Sequence, residues 1–598
     1  MIQRFLFLLK TYALTVLFFL LAKVAFFVCN AAGHDASVGD VPGVLAHGLT
    51  LDLSTALYVL SVPLLCAWAS VYAGWPKWLR WMLHIWFLAV SLALSLAFVA
   101  DTSLYPFWQF KLDASCLQYL DTPADAMASV STAYLIVRLA LIILLTVVFF
   151  LSYTRPRLNL KAGRRRWAET VAMLVFVPLF IIGIRGGIGE STTNIGQVYF
   201  SQNQFLNHAA VNPVFSFLSS FESTAREVTE YPFYTSEELA RHTADLYPRS
   251  GISRDTLLTT QRPNVVIILM ESCGKMFLDV MPHLRRAAGE GVDFTNCYGN
   301  SYRTDRGTLS TLSGYLSFPT MSVMKMSDKV EHLPAIARSL QHEGYTTEYL
   351  YGGDINFTKM RGYLISTGFQ TLCWQQDFPP DEQNTAKWGV RDDITFQTLS
   401  QMILSHRDSR PFLIGYSTLS SHEPWDVPLN KHVDKEHNGF AYLDQCIGAF
   451  LDEMQRSPAW DHLLIIFVPD HSIDFREFTE QHPDRNRIPM IWTGGAVRAP
   501  QQIDRICNQS DLAATLLGQM GLDHSDFLFS RDITADSYRY PFAVHMFNNG
   551  ISMTDSTGFM LYDLTAERIT AGTSPDADRM AATAKAVLQL AAEDLSKK

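Results

Sequence analysis

The stretch NVVIILMES, Asn264–Ser272, is apolar at every position from Val265 to Met270 and then ends on a carboxylate, Glu271. A strand that is apolar on both faces belongs inside a parallel sheet covered by helices on either side. Three similar runs follow: TTEYLY (Thr346–Tyr351), PFLIGYST (Pro411–Thr418) and LLIIFV (Leu463–Val468). Between them, Leu333–Glu343, Ile394–Ile403 and Leu443–Gln455 read as helices. Alternation of this kind predicts an α/β domain with a mainly parallel sheet. The tail reads differently. GISMTDSTGFMLYDLTAERIT (Gly550–Thr570) predicts short antiparallel strands, and Asp576–Ser596 a closing amphipathic helix, together a small C-terminal β subdomain.

Upstream of Asn264 the text changes class. Five stretches approach the about 20 apolar residues that a membrane-crossing helix needs: Phe5–Cys29, Leu51–Tyr72, Trp81–Ala100, Tyr134–Tyr153 and Trp167–Ile184. The first is read as a retained span rather than a cleaved signal, since it is long and four more follow. Arg4 and Lys10, then Lys77 and Arg80, then Arg155, Arg157, Lys161, Arg164, Arg165 and Arg166 fall before the first span and in every second loop, hence all on one side of these spans. The intervening loops are almost free of Lys and Arg, so the positive-inside rule predicts a cytoplasmic N-terminus and everything after Ile184 outside. Arg138 and Glu169, inside spans four and five, are read as snorkelling near the cytoplasmic ends. From Arg185 to Arg262 no strand-like run occurs. Within that connector, Val198–Ser220 fits either an interfacial amphipathic segment or a plain linker packed on protein, and the lone His208 reads as structural.

Composition narrows the function. The 598-residue chain is 48% hydrophobic, only 18% charged, and carries a net charge of −10. That acidic balance excludes a typical nucleic-acid binder. The eight cysteines include no C-x-x-C pair, so neither a zinc ribbon nor a dithiol redox motif is indicated. One bridge among Cys273, Cys297, Cys373, Cys446 and Cys507 is left open.

Ligands of open α/β sheets bind beyond the carboxyl ends of the strands, and the four runs are each followed by reactive side chains. Glu271 follows the first, Asp354 and Asn356 the second in YGGDIN, His422 the third in STLSSHEPW, and Asp470–His471 the fourth in VPDHSID. Two carboxylates and an imidazole suit Mn²⁺, Zn²⁺ or Mg²⁺, although a helix cap at Asp470–His471 and an arginine partner for Glu271 fit the spacing as well. A candidate nucleophile lies in NSYRTDRGTLSTLSGY (Asn300–Tyr315), where Thr304 precedes a run able to start a helix, whose N-terminus favours a phosphate. By residue chemistry alone Thr308, Ser310 and Thr311 remain rivals.

Taken in order, VIILMES, SYRTDRG…LSGY, YGGDINF, WGVRDD, STLSSHEPW and VPDHS resemble the lipoteichoic acid synthase-like, phosphoglycerol-transferring branch of the alkaline phosphatase/sulfatase superfamily. The resemblance runs over nearly the whole chain. It implies a five-span transmembrane domain (1–187), a helical linker (188–262), an extracytoplasmic sulfatase-like catalytic domain (263–545) and a C-terminal β/α subdomain (546–598). It implies Thr304 as the nucleophile, carrying a phospho-threonine intermediate, and Glu271, Thr304, Asp470 and His471 around one divalent metal, with Mn²⁺ expected ahead of Mg²⁺ or Zn²⁺. Substrate contacts are expected from His422, with Arg303, Arg306, Asp354, Asn356, Arg361 and Trp388 around the same mouth. The implied donor is a membrane phospholipid and the acceptor a glycan or lipid, at the bacterial inner membrane with the catalytic domain periplasmic. The family's Trp/Arg head-group pair falls near NFTKMRGY (Asn356–Tyr363), where the Trp is missing, so the head group stays open. A phosphoethanolamine transferase, a hydrolase on the same site, and a non-enzymatic sensor are the other readings. No C-x-P-S-R or C-x-A-x-R motif occurs, which argues against the formylglycine chemistry of true sulfatases. Oligomeric state is not legible.

Overall fold

A computed structural model describes residues 1–108, 111–112, 116, 132–155, 160–224, 228–248, 251, 255–406, 410–548 and 550–598. The chain forms two compact units, Met1–Glu227 and Val228–Lys598, so residues 188–262 contribute to both.

Among the described residues, the first unit holds five helices long and apolar enough to cross a membrane: α1 (Ile2–Asn30), α2 (Val41–Ala73), α3 (Lys77–Trp108), α4 (Thr132–Thr154) and α5 (Arg166–Arg185). Two shorter helices follow, α6 (Gln204–Ala210) and α7 (Pro213–Thr224). The spans pack through Phe18, Phe19, Leu83, Phe87, Phe98, Phe149 and Tyr153, while Ile136, Leu139, Ile143, Leu144 and Leu179 are left exposed, as lipid-facing residues would be. Trp78, Trp81 and Trp167, exposed at the starts of α3 and α5, match the aromatic belt of a membrane interface.

Buried charge in this unit is paired. Arg4 reaches Glu169 at 2.9 Å, Ser70 Oγ at 2.8 Å and the Lys161 carbonyl at 2.6 Å, and Lys23 reaches Asp52 at 2.8 Å. An unpaired charge at such depth costs several kcal/mol, of order 3, so pairing is required. Glu169 thus lies at the Arg4 level, but Arg138 does not. Lys10 donates to the Ser152 and Arg155 carbonyls, which sets the last turn of α4 at that level and leaves Arg138 about four turns away, over the Tyr134 ring at 4.6 Å. The positional reading of Arg138 is therefore corrected: α4 starts at the opposite end. His208 is buried and structural, held by Tyr105 at 2.9 Å and Gln204 at 3.1 Å.

In the second unit the strands are β1 (Asn264–Met270), β2 (Val292–Phe294), β3 (Cys297–Tyr298), β4 (Thr346–Tyr351), β5 (Thr371–Trp374), β6 (Phe412–Ser417), β7 (Leu463–Pro469), β8 (Arg487–Ile488), β9 (Ile491–Thr493), β10 (Gln501–Ile503) and β11 (Cys507–Asn508). Eight of them form one sheet in the order β10-β2-β9-β7-β1-β6-β4-β5, and β11-β3-β8 form a small one. The four long strands foreseen from sequence are consecutive neighbours, β7-β1-β6-β4, and all run parallel. β9 is antiparallel to β7 and to β2. The strands of two to four residues escaped the sequence reading because they are too short to show a period.

β1 explains the layering. Val265, Ile267 and Leu269 enter one core and Val266, Ile268 and Met270 the other, the alternation a strand imposes. Each such fully buried side chain contributes about 1.5–3 kcal/mol. The helices that cover the sheet and carry the site are α8 (Thr304–Ser313), α9 (Asp392–Ser405), α10 (Lys435–Gln455) and α11 (Asp511–Gln519). α10 supplies Phe440, Leu443, Ile447, Phe450 and Met454 to the second core, the spacing of one helical face. β12 (Phe542–Phe547), β13 (Gly550–Asp555), β14 (Gly558–Asp563) and β15 (Arg568–Gly572) make an antiparallel meander, covered by α12 (Ala577–Lys597). The fold class read from sequence is the one observed. All eight cysteines are thiols, and Cys297 and Cys507 are register partners on β3 and β11.

A buried ion pair ties the meander to the α/β layers. Asp511, at the start of α11, takes Arg531 at 3.0 and 2.6 Å, and Arg531 also donates to the Phe542 carbonyl of β12 at 2.8 Å. Asp511→Ala strands this guanidinium in the core. Its expected cost is about 3–5 kcal/mol, checked by the thermal unfolding midpoint of the purified full chain.

Candidate metal centre and nucleophile

Register builds the centre. β1 and β7 pair with Met270 opposite Pro469, so the next residues, Glu271 and Asp470, leave the sheet side by side with His471 adjoining. Ligand atoms of all three lie within 4.8 Å of one another, and all three residues are buried. His471 Nε2 stands 3.6 Å from Glu271 Oε1 and 3.6 Å from Asp470 Oδ2.

Thr304 is the first residue of α8 and faces this cluster. Its Oγ1 lies 3.3 Å from Glu271 Oε2 and 3.5 Å from His471 Nε2. Close approach depends on Gly307, one turn on. A Cβ there would fall 1.7 Å from the Asp470 carbonyl oxygen, so no larger residue lets α8 sit so near. Thr308, Ser310 and Thr311, the rival hydroxyls, are fully buried within the helix packing.

Hydrogen bonds orient each group. Asp470 Oδ1 accepts from the Ser272 and His471 amides at 2.9 and 2.7 Å, while its Oδ2 is buried with no hydrogen-bond partner. His471 Nδ1 is 3.1 Å from the Ser472 carbonyl. A proton held there leaves Nε2 as a lone-pair donor. Ser272, at φ +61°, donates its hydroxyl to Glu271 Oε1 at 2.8 Å. Gln509 grips the Pro469 and Asp470 carbonyls at 2.7 and 2.8 Å.

Electrostatics make the cluster incomplete by itself. Burial opposes ionisation of Glu271, but the His471 hydrogen bond and charge outweigh it and draw its pKa down to about 2. Burial and the Glu271 charge push Asp470 up to about 8. His471, disfavoured as a cation by burial, is nonetheless raised to about 9 by Asp470 and Glu271. Two carboxylates this close cannot both ionise without added positive charge. An orphaned carboxylate oxygen, an imidazole with its lone pair turned inward and a second carboxylate suit one divalent cation, so the residues present fit the group.

The remaining foreseen residues sort by neighbourhood. His422 is fixed through Nδ1 at 2.7 Å from the Glu423 carbonyl, and its charge acts on Glu271. Trp388 donates to the same carbonyl at 2.7 Å, stacks toward His422 at 4.6 Å and meets Phe357 at 6.1 Å. Asp354, Asn356 and Arg361 form one chain, Asn356 Nδ2 to Asp354 at 3.1 Å and Arg361 Nε to Asn356 Oδ1 at 3.0 Å, with the guanidinium 5.1 Å from the Trp374 ring. Arg303 is exposed beside Tyr302. Arg306 turns to the Phe318 and Pro319 carbonyls at 2.9 and 3.0 Å, which engages it with backbone.

Sequence reasoning missed the groups that hold these in place. Buried Asp392 accepts from the Leu419 and Ser420 amides at 2.8 and 3.0 Å and so anchors the loop bearing His422. Thr418 accepts from the Glu271 amide at 3.0 Å, and Ser421 donates to the Glu271 carbonyl at 2.7 Å. The doubled aspartate of WGVRDD was a signal for Asp392; Gln509 had none.

Residues 263–522 match the Sulfatase family. Lipoteichoic acid synthase 2 of Bacillus subtilis (strain 168) is 24% identical over 326 residues, 48% of this chain and 49% of that protein. Lipoteichoic acid synthase 1 of the same organism is 22% identical over 445 residues, covering 66% and 67%. The chain thus spans about half the length of the first of these curated relatives and two thirds of the second. Among solved structures, an alkaline phosphatase superfamily protein from Vibrio parahaemolyticus matches with TM-score 0.54 at 22% identity, over 62% of this chain and 98% of that one. The lipoteichoic acid synthase LtaP from Listeria monocytogenes matches with TM-score 0.50 at 15% identity, over 60% and 98%. Residues 263–522 thus form a Sulfatase-family domain, carried on a chain with five apolar helices long enough to cross a membrane among its described residues. In sequence the chain is similar to lipoteichoic acid synthases.

Because burial and neighbouring charge push Asp470 up to about 8, and the two carboxylates raise His471 to about 9, a bound cation must displace their protons. Mn²⁺ affinity is expected to climb as pH rises from 6 toward about 9 and to level off above it. Titration calorimetry in buffers of different ionisation enthalpy checks the proton release. Asp392→Ala should leave metal affinity unchanged yet lower turnover about tenfold or more, since the loop of His422 loses two anchors worth roughly 1 kcal/mol each.

Proposed function

We propose that the protein transfers a phosphate-linked head group, of phosphoglycerol type, from a membrane phospholipid to a glycan or lipid acceptor through a phospho-threonine on Thr304. The observation that carries this reading is the placement of Thr304 Oγ1 at 3.3 Å from Glu271 within a buried Glu–Asp–His cluster. Relatives named lipoteichoic acid synthase support it.

Glu271, Asp470 and His471 would hold the cation, with Mn²⁺ expected and Mg²⁺ or Zn²⁺ as the other candidates. When bound, it supplies positive charge that favours the ionised hydroxyl and the anionic phosphoryl group. The Thr304 proton passes toward Glu271 Oε2, and Oγ1 attacks phosphorus in line. The new Thr304–phosphorus bond forms as the bond to the diacylglycerol oxygen breaks, and that oxygen takes a proton as it leaves. His422 and the α8 N-terminus stabilise charge on the transferring group. An acceptor hydroxyl then attacks the same phosphorus, the bond to Oγ1 breaks, and Thr304 regains its proton. Trp388 and Phe357 line the mouth, and the Asp354–Asn356–Arg361 chain is the place where the head group is read. Positive residues gathered on one side of the spans support an extracytoplasmic catalytic unit.

Detergent-purified protein incubated with bacterial phospholipids and Mn²⁺ should yield a glycerophosphate mass on the Thr304 peptide, absent with chelator. A phosphoethanolamine mass instead would reassign the head group. Thr304→Ala should abolish the adduct and lower phospholipid turnover about a thousandfold or more. Unchanged turnover would overturn the reading. His422→Ala is expected to slow adduct formation about a hundredfold while Thr304 remains modifiable.

A further inference from the structure

Helix α7 is built inside out. Its small polar residues Ser216 and Ser220 are buried at 4% and 8% exposure, whereas Leu218 and Phe221 stand 50% and 47% exposed. Phe217 stacks edge-on to Phe221 at 5.1 Å and extends the same stripe. A helix on a water-facing protein surface shows the reverse, apolar residues inward and polar ones out. Small residues turned toward neighbouring helices, with apolar ones turned away, are the pattern of lipid-facing helices. The serine hydroxyls conform. Ser219 and Ser220 donate to the Ser216 and Phe217 carbonyls of their own helix at 3.1 and 2.6 Å.

Two contacts fix the level at which α7 begins. α5 has 20 residues, about 30 Å at 1.5 Å per residue, which is the thickness of the hydrocarbon layer. Its last turn therefore reaches the far boundary, and there Ser54 of α2 donates to the Ile184 carbonyl at 2.6 Å. Asp52, two residues away on α2, accepts from Asn212 Nδ2 at 2.8 Å. Asn212 in turn caps α7, its Oδ1 accepting from the Val214 and Phe215 amides at 3.0 and 3.1 Å. Val214 packs against the core of the spans, and α7 packs on α3.

We propose that α7 lies in the boundary between head groups and acyl chains, on the side where the chain leaves α5, with Phe217, Leu218 and Phe221 in the lipid. The surface it presents continues the apolar belt of the spans, and its partner is the bilayer itself. The inference rests on the five helices spanning the membrane and not on the reaction.

The test uses full-length protein in vesicles of phosphatidylethanolamine and phosphatidylglycerol, with label-accessible native cysteines replaced by serine. Leu218→Cys and Phe221→Cys carry a polarity-sensitive fluorophore. Leu144→Cys on lipid-exposed α4 and Val433→Cys, fully exposed in the second unit, serve as references. Emission at positions 218 and 221 is expected to shift to the blue and to be quenched several-fold more by a nitroxide at acyl carbon 5 than at carbon 12. Quenching by aqueous iodide to the extent seen at position 433 would overturn the proposal. So would stronger quenching from carbon 12, as at position 144, which would put α7 too deep.

Discussion

The site follows from one register. β1 and β7 run parallel with Met270 opposite Pro469, and whatever follows those residues must emerge together at one edge of the sheet. The chain places a glutamate after the first and an aspartate–histidine pair after the second. In water two neighbouring carboxylates repel weakly; at full burial their repulsion grows several-fold because the effective dielectric falls. Glu271 is accordingly held low by His471, while burial and the Glu271 charge push Asp470 up to about 8. Such a pair is stable only with added protons or a cation. Sheet pairing, which the apolar strands make nearly obligatory, thus forces a charge problem whose natural solution is a metal.

Much of the surrounding structure keeps that pair within reach of a hydroxyl. Gly307 allows α8 to approach the Asp470 carbonyl, which brings Thr304 to the cluster. Ser272, in left-handed conformation at φ +61°, turns the chain after β1 so that one short segment serves both carboxylates; the backbone strain is of order 1–3 kcal/mol. Asp392, Thr418 and Ser421 fasten the neighbouring loop to the end of β1 and to α9. Burial pushes Asp392 up to about 6 despite the amides it accepts from. These are the costs of holding loops rigidly over a sheet edge.

The membrane unit solves a different solvation problem with the same rules. Its buried charges are paired within the bundle, Arg4 with Glu169 and Lys23 with Asp52, and its exposed surface is apolar. Asp52 serves twice, neutralising Lys23 and accepting from Asn212, so the start of α7 is tied to the same polar spot that stabilises the packing of α1 on α2.

The sequence by itself determined the periodic features. Spans, parallel strands and the C-terminal meander each have a repeat long enough to read, because burial imposes the same apolar demand residue after residue. It also ordered Glu271, Asp354, His422 and Asp470–His471 behind four strands, and the motif order carried the likeness to sulfatase-like proteins. Tertiary structure alone decided which of these groups meet. Strand order made β7, β1, β6 and β4 neighbours, and a single glycine let α8 come close enough to set Thr304 beside the carboxylates. It also turned Arg306 toward backbone carbonyls and set Arg138 at the far end of α4. The reason is physical. Burial patterns are written locally, one element at a time, whereas a hydrogen bond or a shared charge depends on distances of a few ångströms between segments a hundred or more residues apart, and those distances exist only once the sheet has closed.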